Sequence, residues 1–134
     1  MAKQSLIILN STAGQMNVTG APFKAAGYFG YSRGVHTVCW YLDNFVGRVY
    51  IEASLATTPC DTDWFAINLA GLTPYVQYPI DPTNPTGQHG GDSGIDDYTF
   101  QANLVWLRIR IDRTYLVNPN VNFVGSIQKA LLNY

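Results

Sequence analysis

The specialised side chains of this 134-residue sequence are few: two histidines, two cysteines and a single glutamate, Glu52. His36 alternates with Val38 and Trp40, so it reads as a hydrogen-bonded structural histidine rather than a catalytic base. His89 sits in Gly-Gln-His-Gly-Gly with no carboxylate or cysteine at metal spacing. No nucleophile elbow, phosphate-cradling glycine loop or His-Glu-x-x-His motif is present. A pair of aspartates on different strands could serve a glycosidase, but no spacing here favours that. Cys39 and Cys60 match no zinc pattern and read as small apolar residues, with a disulfide between them left open. Asp92, Asp96 and Asp97, with Asp81 nearby, are weak calcium candidates, because calcium takes six to eight oxygens. Their spacing is not that of an EF-hand, and a solvated polar loop is the favoured reading. The expectation is a protein without catalytic residues, metal or cofactor.

The aromatic residues make a sharper choice. They form 13% of the chain and include nine tyrosines. Tyr28, Phe29 and Tyr31 lie in the glycine-rich stretch Gly27 to Gly34, and Tyr41, Tyr50 and Trp106 sit on strand faces opposite the apparent core. Arg108 and Arg110 share the outward face with Trp106. In a two-sheet sandwich only one face of each sheet is core, so these eight positions are the binding or interface candidates. Burial against another subunit is the preferred reading. The alternative is a sugar-stacking groove beside Arg48, Asp63 or the loop from Asp81 to Asp97.

Bulk properties narrow the partners. Formal net charge is −1 and only 13% of residues are charged, against about 25% in ordinary domains. Arg108, Arg110 and Arg113 are interrupted by Asp112, so no basic run exists to displace counterions from nucleic acid. No apolar stretch is long enough for a transmembrane helix. The run from Leu6 to Leu9 is too short for a signal-peptide core, so synthesis in a cytoplasm is expected.

Positioning these residues requires strands, since the dominant period is two. Strands are expected at Ser5 to Leu9, Gln15 to Thr19, His36 to Leu42, Phe45 to Ala56, Asp63 to Leu69, Tyr75 to Tyr78, Tyr98 to Asp112 and from Asn122 into the tail. His36, Val38, Trp40 and Leu42 should face inward, as should Val49, Ile51, Ala53 and Leu55, and Val105, Leu107, Ile109 and Ile111. Asp81 to Asp97 reads as a long polar loop, ordered only against a partner. The expected fold is all-β: one domain over residues 1–134, a two-sheet antiparallel sandwich of about seven or eight strands, jelly-roll-like or immunoglobulin-like.

Four segments carry a resemblance: Gly47 to Leu55 (Gly-Arg-Val-Tyr-Ile-Glu-Ala-Ser-Leu), Asp63-Trp-Phe65, Tyr98 to Arg110, and Gly125-Ser-Ile127. In this order they resemble small β-sandwich virion proteins of tailed, T4-like phages of marine cyanobacteria, and more weakly discoidin or galactose-binding-like modules. The similarity covers roughly residues 36 to 130 and consists of core and turn positions, so no ligand residue is carried over. The resemblance implies a virion component made in the host cytoplasm (head decoration, neck, tail or baseplate), a homo-oligomer contacting other virion proteins. A glycan is the alternative partner; nucleic acid and membrane are not expected.

Overall fold

The computed structural model describes residues 5–69, 73–80 and 91–134. The fold is all-β, with two antiparallel sheets packed face to face. One sheet, here sheet A, has the order β1-β10-β4-β8, formed by Leu6–Leu9, Ser126–Asn133, Gly34–Phe45 and Asp92–Ala102. Sheet B is centred on β9 (Trp106–Asp112) and β5 (Gly47–Ser54). Along the free edge of β9 lie β2 (Val18–Thr19) and β3 (Phe23–Lys24); along that of β5 lie β6 (Phe65–Ala66) and β7 (Val76–Tyr78). Each pair of short strands occupies one lane, so the ten strands among the described residues fill eight lanes. The first lane pairs with the last, the second with the seventh, the third with the sixth, and the fourth with the fifth. That is the wrapping of a long antiparallel ribbon into a jelly roll. An immunoglobulin order would instead keep the early hairpins within one sheet.

Period-two alternation explains the long strands. His36, Val38, Trp40 and Leu42 on β4 are buried, as are Val49, Ile51 and Ala53 on β5 and Leu107, Ile109 and Ile111 on β9. With Ile8, Ile127, Ala130 and Leu132 they form one apolar core drawn from both sheets. A hydrogen-bonded chain crosses it: Trp40 Nε1 donates to Tyr78 Oη at 2.8 Å, and Tyr78 Oη donates to Asp96 Oδ2 at 2.5 Å. Burial and the Asp96 carboxylate push the Tyr78 phenol well above its usual range, which keeps it a donor.

Several expectations are corrected. Asp92–Ala102 is a strand, paired with β4 from Gly34↔Ala102 to Phe45↔Asp92. The polar segment from Asp92 to Asp97 is therefore not loop; residues 81–90 of that predicted loop, including His89, lie outside the described residues. Polarity misled the reading because β8 is the edge of sheet A and is largely solvent-facing. The single strand expected from Tyr98 to Asp112 is two, since Asn103 to Val105 carry the chain from sheet A to sheet B. Val105 is only half-buried there, and Leu55, past the end of β5, is exposed. Asp63 to Leu69 contributes only Phe65–Ala66 to a sheet, following a helical turn at Asp61–Asp63. The last strand starts later than expected, at Ser126, with its bulge between Ile127 and Lys129.

Candidate functional site

The outer face of sheet B brings together Tyr50, Arg108 and Arg110 of the eight predicted site residues. Register places Tyr50 beside Arg110 and Glu52 beside Arg108. Glu52 accepts from Arg108 Nε at 2.8 Å and from Arg110 Nε at 3.0 Å. Each guanidinium also lies on a ring: Arg110 over Tyr50 at 4.0 Å and Arg108 over Trp64 at 4.2 Å. Next to them Arg48 sits between Tyr75 at 4.3 Å and Tyr115 at 4.1 Å and donates from Nε to Gln77 Oε1. The planar guanidinium offers a cationic face to the ring and in-plane donors to an acceptor at the same time. These aromatics therefore find their partners within the chain. The need for a partner subunit at Tyr50, Arg108 and Arg110 falls away, and Arg48 is occupied in the same lattice. Asp63 is likewise engaged: its carboxylate accepts from the Cys60 backbone N–H at 2.8 Å and from its thiol, contacts that hold its pKa below the usual range.

Trp106 lies at the edge of this face and belongs to a different set. Its ring meets Tyr28 edge-on at 5.4 Å, Tyr28 meets Phe29 at 5.4 Å, and Phe29 stacks on Tyr134 at 6.1 Å. Tyr134 continues to His36 at 5.7 Å, and His36 stacks on Phe100 at 5.1 Å. The chain of rings thus runs from sheet B, over the helical turn at Ala26–Phe29, to sheet A. The turn is held by two contacts: Gly27 N–H donates to Leu104 O at 2.8 Å and Ala26 N–H donates to His36 Nε2 at 3.1 Å. His36 is a buried structural residue, as its alternation indicated. Because Nε2 accepts, the ring is neutral, and burial pushes its pKa below the ordinary 6.5. The Gly34 backbone offsets part of this, although among the described residues no hydrogen bond of good geometry reaches Nδ1.

Tyr31 stands apart from both groups. It lines a cleft of about 790 Å³ with Gly30, Ser32, Arg33, Gly34, Val35, Ala26 and Tyr134. Gly30 closes the helical turn at φ 89°, a left-handed conformation that favours glycine. Gly34 packs flush on that turn, where a Cβ would fall 2.2 Å from the Ala26 Cβ. Tyr41 is separate again, half-buried on the outer face of sheet A with the Lys129 ammonium 4.7 Å from its ring centroid.

The calcium candidates do not converge. Asp96 and Asp97 are consecutive strand residues and point to opposite faces. Asp96 accepts a hydrogen bond from the Tyr78 hydroxyl, while Asp92 accepts one from the Ile80 N–H at 2.9 Å. Among the described residues no group of three or more His, Cys, Asp or Glu could hold a metal ion. Cys39 and Cys60 are both free thiols, so no disulfide joins them. No helix among the described residues is long and apolar enough to cross a membrane.

Sequence reasoning missed Arg113. Its side chain is buried and makes no ion pair among the described residues. Nε donates to Val46 O, Nη1 to Gln15 O and Met16 O, and Nη2 to Val124 O and Gly125 O. Five carbonyls from three connections thus hold one cation, which burial brings down to about 10. The available signal was that Arg113 continues the inward register of Ile109 and Ile111. No protein-family model, characterised protein or solved structure matches the chain, so the likeness to tailed-phage virion proteins rests on the residues quoted for it.

Proposed function

We propose that the chain is a non-enzymatic structural protein of a phage particle that acts by assembly, joining copies of itself and then other virion proteins. The observation that carries this reading is the outer face of sheet A. Across its four strands run two lateral rows. One is Ile7, Leu131, Cys39 and Asp97; the other is Lys129, Tyr41 and Ile95. Beside them lie Asn133, Thr37 and Thr99, with the two threonine hydroxyls 2.9 Å apart. Ile7 and Ile95 are 53% and 63% exposed. The face is broad and nearly neutral, unlike the outer face of sheet B, which is covered by its own arginine and aromatic lattice.

The occupant that fits is a second copy of the same face. A two-fold contact sets each patch against itself, and Lys129 on β10 then meets Asp97 on β8 of the other copy, twice over. Thr, Asn and Tyr side chains supply neutral hydrogen bonds at the rim. The head-decoration, neck, tail or baseplate setting comes from the sequence resemblance alone. Particle assembly in a host cytoplasm is part of the same proposal.

Light scattering behind a sizing column, over a wide concentration range, tests the contact. The expected result is a defined oligomer that Ile95→Arg dissociates without changing the far-ultraviolet circular dichroism. A wild-type chain that stays monomeric at the highest concentration, or an oligomer indifferent to Ile95→Arg, overturns the assignment of this face.

A further inference from the structure

We propose that the cleft between the helical turn at Ala26–Phe29 and the start of β4 binds a pyranose sugar bearing a carboxylate, such as a hexuronate. The ring lies on Tyr31 and its acid group pairs with Arg33. The cleft, about 790 Å³, falls within the usual size of small-molecule sites, about 300–1,000 Å³. The proposal does not rest on the assembly reading.

Three observations carry it. First, Tyr31 is 66% exposed, and its ring has no aromatic or cationic partner among the described residues. Tyr28, Tyr41, Tyr50, Tyr75 and Trp64 are all stacked or covered, so a free ring on a cleft wall is unusual in this molecule. Its face is an apolar platform of the size of a sugar ring, with a hydroxyl at the edge.

Second, Arg33 carries the one charged side chain among the residues lining the cleft. Its guanidinium makes no ion pair or hydrogen bond with any described residue, whereas Arg48, Arg108, Arg110 and Arg113 are all engaged. The Arg33 contact that exists is through its backbone, where Gln101 Nε2 donates to Arg33 O at 3.1 Å, tying the segment to β8. A guanidinium presents paired donors to a carboxylate in fork geometry. The Ser32 hydroxyl, also without a partner among the described residues, lies between the two residues in sequence and supplies a donor or acceptor for a ring hydroxyl.

Third, the wall behind them is fixed. The tight packing of Gly34 on Ala26, the Ala26 to His36 hydrogen bond and the stacking of Tyr134 on Phe29 leave little freedom at the back of the cleft. A preformed wall lowers the ordering cost of binding a small ligand. Neutral sugars satisfy Tyr31 but leave Arg33 unpaired, and small acids satisfy Arg33 but leave the ring bare, which is why the ligand is expected to carry both features.

Saturation-transfer NMR with D-glucuronate, D-glucose and acetate as probes tests this on the full chain. Transfer to the glucuronate ring protons is expected, with glucose at least tenfold weaker and acetate unable to displace glucuronate at equal concentration. Arg33→Ala is expected to bring glucuronate down to the glucose level, and Tyr31→Ala to weaken both sugars. Both side chains are exposed, so thermal melts of the variants should match the wild type. Absence of transfer to glucuronate overturns the proposal, as does affinity unchanged in either variant. Equal displacement by acetate also overturns it, because the site would then be one for simple anions.

Discussion

At Arg113 and His36 the polar groups serve to hold the fold. Replacing Arg113 by methionine keeps its apolar volume but strips donors from the carbonyls of Val46, Gln15, Met16 and Gly125. Unsatisfied buried acceptors cost about 1–3 kcal/mol each, so Arg113→Met is expected to lose at least about 3 kcal/mol, read as a fall in the urea midpoint. Arg113→Lys should rescue little, because an ammonium cannot reach carbonyls in three connections from one rigid fork. His36 gives a pH dependence of definite sign. Its folded pKa lies below the ordinary 6.5, so the unfolded chain binds the proton first. The stability it contributes is complete above about pH 6.5 and declines as pH falls below that value. Protonation also places a hydrogen on Nε2, opposite the Ala26 N–H that donates to it. Melting temperature should therefore drop on acidification below pH 6.5, and His36→Gln should flatten that part of the profile. The buried histidine was legible in the sequence because it alternates with Val38 and Trp40. Arg113 was not, because an arginine after Asp112 reads as the end of a strand rather than as the continuation of its inward face.

Among the elements, legibility followed burial. β4, β5 and β9 have one apolar and one polar face; alternation located β4 and β5 and the inward residues of β9, but ran β9 together with the end of β8. β8 sits at an edge and carries Asp92, Gly94, Asp96 and Asp97, so its sequence has the composition of a loop and its strand character comes from pairing with β4. The crossing at Asn103 to Val105 was missed although the apolar positions change phase there, from Phe100, Ala102 and Leu104 to Leu107, Ile109 and Ile111. The lattice on sheet B was hidden for another reason: Tyr50 and Arg110 are far apart in sequence, and only the β5–β9 register makes them neighbours. That register makes Glu52 the joint of two cations. Glu52→Gln is expected to cost about 1–3 kcal/mol, since Arg108 and Arg110 keep their charges and lose the carboxylate between them. Adding Arg110→Gln to that variant should recover part of the loss, and a double-mutant cycle in denaturant measures it.

Taken as a whole, the molecule is a sandwich whose two sheets each alternate early and late strands. The expectation of a two-sheet antiparallel fold holds. Choosing between jelly-roll and immunoglobulin order required the pairing of distant lanes, which no local pattern encodes. Proteins dominated by such non-local pairings fold slowly, on the order of milliseconds to seconds. β10 is the extreme case, because it lies between β1 and β4 in the interior of sheet A, with Leu132 opposite both Leu6 and Val38. A chain ending before Ser126 is expected to be protease-sensitive throughout, not merely frayed, in a limited-proteolysis time course.

That placement of β10 has a consequence for biosynthesis. While the ribosome is still translating Ser126–Asn133, β1 and β4 have no strand between them, and the outer face of sheet A does not yet exist as a surface. Emerging chains that have not yet made β10 therefore lack the proposed contact however crowded they are. The patch is completed only once β10 has been made and has paired with both neighbours, so partner choice is made among chains that already hold this strand.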